Sequence, residues 1–174
     1  MFRFLVLASL SGCAFGSMQT VALGPSFGDH SGVVVALELS AVAHERFASV
    51  PASADALQLQ DHHGPHNYLG IAVTATSGAL MQPTGGVTGF ATAGIDYLPF
   101  LYEHGSVIGF GAHVGIARGH HDGAFALAPR LWFAIPVSRL AGARLLVGVM
   151  LRCQLRLDTA SGCGPQLVIT RAAL

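Results

Sequence analysis

Nine histidines stand among only nine basic and nine acidic side chains in 174 residues, so imidazole is the first chemistry to weigh. The densest group is Asp61-His62-His63-Gly64-Pro65-His66, with His120-His121-Asp122 second. Neutral imidazoles bind zinc or copper, and His62, His63 and His66 could converge if Gly64-Pro65 reverses the chain. The competing account is that histidines in turns are simply polar and solvated. No His-Glu-x-x-His run or paired-cysteine motif accompanies them. A metal-binding envelope protein is therefore one alternative function, with His62, His63 and His66 as its ligands.

Nucleophilic catalysis has less support. Gly-x-Ser-x-Gly does not occur, and Ser31 and Ser106 beside glycine are ordinary turn composition. Gly109-Phe110-Gly111 lacks the strand-to-helix setting that a phosphate loop requires. The expectation is no enzyme, no catalytic residue and no dissociable cofactor.

Composition narrows the partners. The chain is 52% hydrophobic and 10% charged, has no lysine, and carries a formal charge of zero. Without a basic stripe it has no counterions to release, so nucleic acid is excluded as a partner. Mean hydropathy is high, +0.56, yet the one helix-like apolar run, Phe4 to Leu10, falls far short of the ~18–20 residues needed to span a bilayer. A protein of this kind meets a membrane through a lipid or as a barrel.

Met1-Phe2-Arg3, the apolar run to Leu10 and then Leu10-Ser11-Gly12-Cys13 follow the order of a secretory signal. The last four residues resemble the lipobox of bacterial lipoproteins. The resemblance implies a signal peptide over 1–12, a diacylglycerol on the Cys13 thiol and acylation of the new N-terminus. Ala14, in place of an aspartate, implies delivery to the outer membrane. Membrane lipid is then the partner expected, and no protein partner is legible. An ordinary secretory cut at Ala14 or Gly16 is the competing account.

The remaining cysteines, Cys153 and Cys163, would lie in an oxidising compartment. They flank Asp158 symmetrically, so a hairpin turning there sets them opposite one another. The same register sets Leu151 against Pro165 and Val149 against Leu167, all on the apolar face. A disulfide is expected, against the alternative of two buried thiols.

The elements that position these residues have a period of two. From Ala143 to Asp158, Leu145, Val147, Val149, Leu151, Cys153, Leu155 and Leu157 alternate with Arg144, Leu146, Gly148, Met150, Arg152, Gln154 and Arg156. A helix would spread the odd-numbered aliphatics all round its surface, whereas a strand gathers them on one side and the arginines on the other. Similar runs start at Val33, Ser106, Ala124 and Gly164, with weaker ones at Tyr68–Ser77 and Val87–Leu98. Turn residues such as Gln82-Pro83-Thr84-Gly85-Gly86 separate them. The fold class predicted is all-β: an antiparallel up-and-down meander closing into a small barrel of about eight strands. The eighth is sought near Val21 or in Ala56–Gln60. Residues 13–30 are expected as a lipidated N-terminal linker and 31–174 as the barrel domain.

The less apolar faces are rich in Gly and Ala with isolated charges. They make a poor solvent-facing surface but a suitable filling for a narrow lumen, so the body resembles the small outer-membrane β-barrels. Glu38, Asp96, Arg130, Arg152 and Arg156 then form an interior charge network. The function expected is an outer-membrane lipoprotein with a structural or interaction role in the cell envelope. If the apolar faces point inward instead, the protein is a lipid-tethered periplasmic ligand carrier with a soluble barrel.

Overall fold

A computed structural model of the chain describes residues 13–29, 31–47, 67–102, 106–118, 123–140, 143–156 and 162–173. They form eight strands: β1 (Cys13–Gly28), β2 (Gly32–Phe47), β3 (Asn67–Met81), β4 (Val87–Tyr102), β5 (Val107–Arg118), β6 (Gly123–Leu140), β7 (Ala143–Arg156) and β8 (Gly162–Ala173). Each pairs antiparallel with its sequence neighbour, and β1 pairs with β8 to close the barrel. Closure leaves no edge strand exposed along the wall. The predicted meander is thus the fold.

Residues 13–30, expected as a linker, instead supply β1, the strand sought near Val21. The barrel domain accordingly begins at Cys13 rather than at residue 31. The reason is parity: Met18, Thr20 and Ala22 are buried, while Val21, Leu23 and Phe27 are exposed. Residues 1–12 and 56–60 lie outside the described residues. Cys13 through Gly16 pair with β2 alone, because β8 joins only from Ser17 onward.

Alternation sorts the side chains between two environments. Inside lie Val34, Ala36, Val42, Ala72, Leu98, Ala126, Trp132, Ala134, Leu146 and Met150, together with buried threonines and the charges described below. Outside, every strand presents large apolar side chains, among them Val21, Leu37, Val73, Ile95, Val114, Phe133, Val149 and Leu167. Soluble monomers rarely expose contiguous apolar patches beyond a few hundred Å². A ligand carrier needs the apolar faces inward, and the observed orientation is the reverse.

The tight turn between β3 and β4 is the one composition predicted. Gly85 donates its N–H to the Gln82 carbonyl at 3.0 Å, and the Gln82 N–H reaches the Gly86 carbonyl at 2.8 Å. Gly85 has φ +86°, where a side chain would be strained.

Candidate functional site

The barrel lumen is the place where chemistry-bearing side chains meet. Asp96, Gly111, Arg130, Arg152 and Gly164 are consecutive partners across β4, β5, β6, β7 and β8. All point inward by parity, and Glu38 reaches them from β2. No stretch of sequence places these groups together; the closed barrel does.

Arg130 is the hub. Its Nε–H donates to Asp96 Oδ1 at 2.7 Å, and Nη2 donates to Asp96 Oδ2, a two-point grip on one carboxylate. Its Nη1 donates to Glu38 Oε2 at 2.5 Å. The planar guanidinium thus bridges two carboxylates, which the point charge of a lysine could not do with the same geometry. Arg152 pairs through Nη2 with Glu38 Oε1. Two cations and two anions are therefore joined in one balanced cluster. Each of the four residues is at most 5% exposed, so their mutual neutralisation replaces water.

Neutral groups complete the arrangement. Thr74 donates its hydroxyl to Asp96 Oδ2 at 2.6 Å and accepts from Arg130 Nη2 at 3.3 Å. A threonine has one hydroxyl proton, so the Ser40 hydroxyl, 2.9 Å away, must be the donor to Thr74. His113 Nε2 lies 3.4 Å from both Asp96 oxygens. Near the seam, Thr20 and Thr170 share a hydrogen bond of 2.8 Å.

Glycine makes the room. A Cβ on Gly111 would collide with the Asp96 carboxylate, and one on Gly109 would meet the Trp132 ring and Leu98. Only a residue without a side chain fits between Asp96 and Arg130 in this row.

Four of the five network residues are thereby brought together, and Arg156 is not. It lies two inward positions beyond Arg152 on β7, about 13 Å farther along a strand that rises ~3.3 Å per residue. It is half-buried near the end of the barrel opposite the chain termini. The three-against-two network expected is instead two against two. Thr74 and Ser40 were not singled out in the sequence, where a threonine in an alternating strand looks like any other.

Cys153 and Cys163 form a disulfide between paired positions of β7 and β8. Leu151 faces Pro165 and Val149 faces Leu167, the register that symmetry about Asp158 predicts. His62, His63 and His66 fall between β2 and β3, outside the described residues. Among the described residues no group of three metal-ligating side chains occurs.

No protein-family model matches the chain, and no curated protein matches its sequence. Among solved structures it is similar to the crystal structure of Neisserial surface protein A, at 12% identity with a TM-score of 0.60. The match covers 94% of this chain and 99% of that one. At that identity the likeness is one of fold: both chains are small closed β-barrels.

Proposed function

We propose that this protein is an outer-membrane barrel, tethered in addition by a lipid on Cys13, with a structural or interaction role in the cell envelope. The observation that carries the reading is the inverted distribution of side chains, apolar outside and charged within. The shortest strands have 12 residues. At ~3.3 Å per residue and a tilt of about 40°, such a strand covers about 30 Å, the thickness of a bilayer's hydrocarbon core.

The band has polar borders. On β6 the exposed run Leu131, Phe133, Ile135 gives way, past a bulge between Pro136 and Ser138, to an exposed Arg139 at the strand end, and on β8 Leu167 and Ile169 give way to Arg171. Both arginines lie toward the end that carries the chain termini. On β5 the run Phe110, Val114, Ile116 ends in Arg118 at the opposite end. Long cationic side chains suit these heights because they bury their stems and hold their charge in the headgroup layer.

The lipid rests on Leu10-Ser11-Gly12-Cys13. Cys13 opens β1 and is set beyond the seam with β8. A chain acylated there would place its lipid beside the barrel wall, in the leaflet nearest the termini. An envelope role needs no catalytic centre, and Neisserial surface protein A, whose fold is similar, is named for its place at the surface.

The deciding experiment is membrane fractionation of a Cys13→Ala variant exported with a cleavable signal. The barrel should stay in the membrane fraction and resist extraction by carbonate. A body that becomes soluble once the thiol is gone refutes the transmembrane reading. Intact-mass analysis of the native protein tests the lipid separately: the chain should start at Cys13 and carry acyl mass.

A further inference from the structure

The inward face of β7 continues beyond the balanced cluster. After Arg152 its next inward positions are Gln154 and Arg156, leading to the mouth of the lumen opposite the termini. Arg152 Nη1, Gln154 Nε2 and Arg156 Nε are all buried atoms without a hydrogen-bond partner. Arg152 itself is 4% exposed. These three groups are donors, successive along one face of one strand, with no hydrogen-bonded acceptor among the described residues.

Charge points the same way. The inward-facing ionised groups described are Arg130, Arg152 and Arg156 against Glu38 and Asp96, with Arg144 on the same face of β7 at the far end of the strand and His44 and His113 also facing inward. The cluster consumes two of each sign, and Arg156 has no carboxylate partner among the described residues. Apart from Arg130 on β6, which pairs with Arg152, the residues set against the donors are small: Ala126 is paired with Arg156, Gly162 with Gln154 and Gly164 with Arg152.

We infer that this part of the lumen is a binding site for a small oxyanion, a phosphate or carboxylate group held by Arg152, Gln154 and Arg156. Buried N–H groups need acceptors, and an anion supplies acceptors and the missing charge together. A guanidinium presents paired N–H groups at the spacing of two oxygens on one phosphorus or carbon, which a halide cannot match. A metal ion is the wrong partner for a row of donors. The site is independent of whether Cys13 is acylated.

The test is a titration of the purified barrel in nonionic maltoside micelles, read from the arginine Nε–H resonances by NMR. Inorganic phosphate is added against sodium chloride at matched ionic strength, so that screening moves both series equally. The Arg152 and Arg156 resonances should shift and saturate, while that of Arg171 on the outer wall stays still. In a second arm the micelles carry phosphatidylglycerol. Saturation by free phosphate assigns a soluble ligand, and saturation only in the doped micelles assigns a lipid headgroup. Arg156→Gln should weaken binding by about tenfold or more, the loss of one charge-assisted contact. Gln154→Met, which keeps the volume and removes the donor, should weaken it too, and provides the readout if the arginine variant does not fold. No saturable shift in either arm, or saturation indifferent to both substitutions, means that water fills these donors and overturns the site.

Discussion

Glu38→Ala tests the interior most directly. The carboxylate accepts from Arg130 and pairs with Arg152, so its removal strands charge on two sides of the lumen. Arg130 keeps Asp96 and Thr74, but Arg152 loses its ion-pair partner while remaining buried. Breaking a buried pair in this way costs about 3–5 kcal/mol, most of it the desolvated cation left behind. Leu151→Ala on the outer wall is the comparison. The side chain is 49% exposed. Removing its three carbons, at ~0.8 kcal/mol per fully buried methylene and about half burial, costs about 1 kcal/mol, and less where lipid or detergent tails fill the gap. The assay is urea unfolding in micelles followed by the fluorescence of Trp132, the single tryptophan, which lies inside the barrel. Glu38→Gln keeps an acceptor but not the charge and should fall between the two. If Leu151→Ala proves the more damaging while Glu38→Ala is silent, the assignment of inside and outside is reversed.

Gly111→Ala should cost about 2 kcal/mol or more by pushing the Asp96 carboxylate off Arg130. Gly123→Ala, where an added methyl meets nothing within 4 Å, should be neutral in the same assay. Reducing the Cys153–Cys163 bridge, whose cysteines are 10 residues apart, should lower stability by about 3 kcal/mol on the loop-entropy relation. Non-reducing peptide mapping should recover the two as one linked pair, and two free thiols would refute it. Arg156→Ala should change stability by no more than about 0.5 kcal/mol, because it breaks no ion pair among the described residues. A loss comparable to that of Glu38→Ala would place Arg156 inside the balanced cluster after all.

Strands were legible wherever one face is uniformly large and apolar. On β7 and β8 the alternation fixes parity, a turn centred on Asp158 fixes register, and that register puts Cys153 against Cys163. β1 was obscured because its outer face mixes Ser17, Gln19 and Pro25 with Val21 and Leu23, and its inner face includes Met18 and Ala22. A period-two pattern of hydropathy is weak there, although the geometry is as regular as elsewhere. Parity also identified Glu38, Asp96, Arg130 and Arg152 as inward, but not their pairing. Glu38 and Arg130 are 92 residues apart and meet across the lumen, a distance that only the radius of the closed barrel decides. The exclusion of Arg156 is an axial matter, since alternation says which face a residue takes and nothing about its height.

The seam between β1 and β8 has a consequence for the order of events during biogenesis. Thr20 and Thr170 bond across 150 residues, and the partner of the first strand made is the last. Until β8 is made, β1 carries along the seam a row of unsatisfied amides and carbonyls that β2, on its other side, cannot cap. Alanines and threonines that will line the lumen are equally uncovered, and the arginines have no enclosed carboxylates to meet. A nascent chain in that condition invites pairing with any neighbouring strand. On the outer-membrane reading proposed above, passage to the membrane calls for an escort that holds the chain unpaired until Gly162–Ala173 arrives.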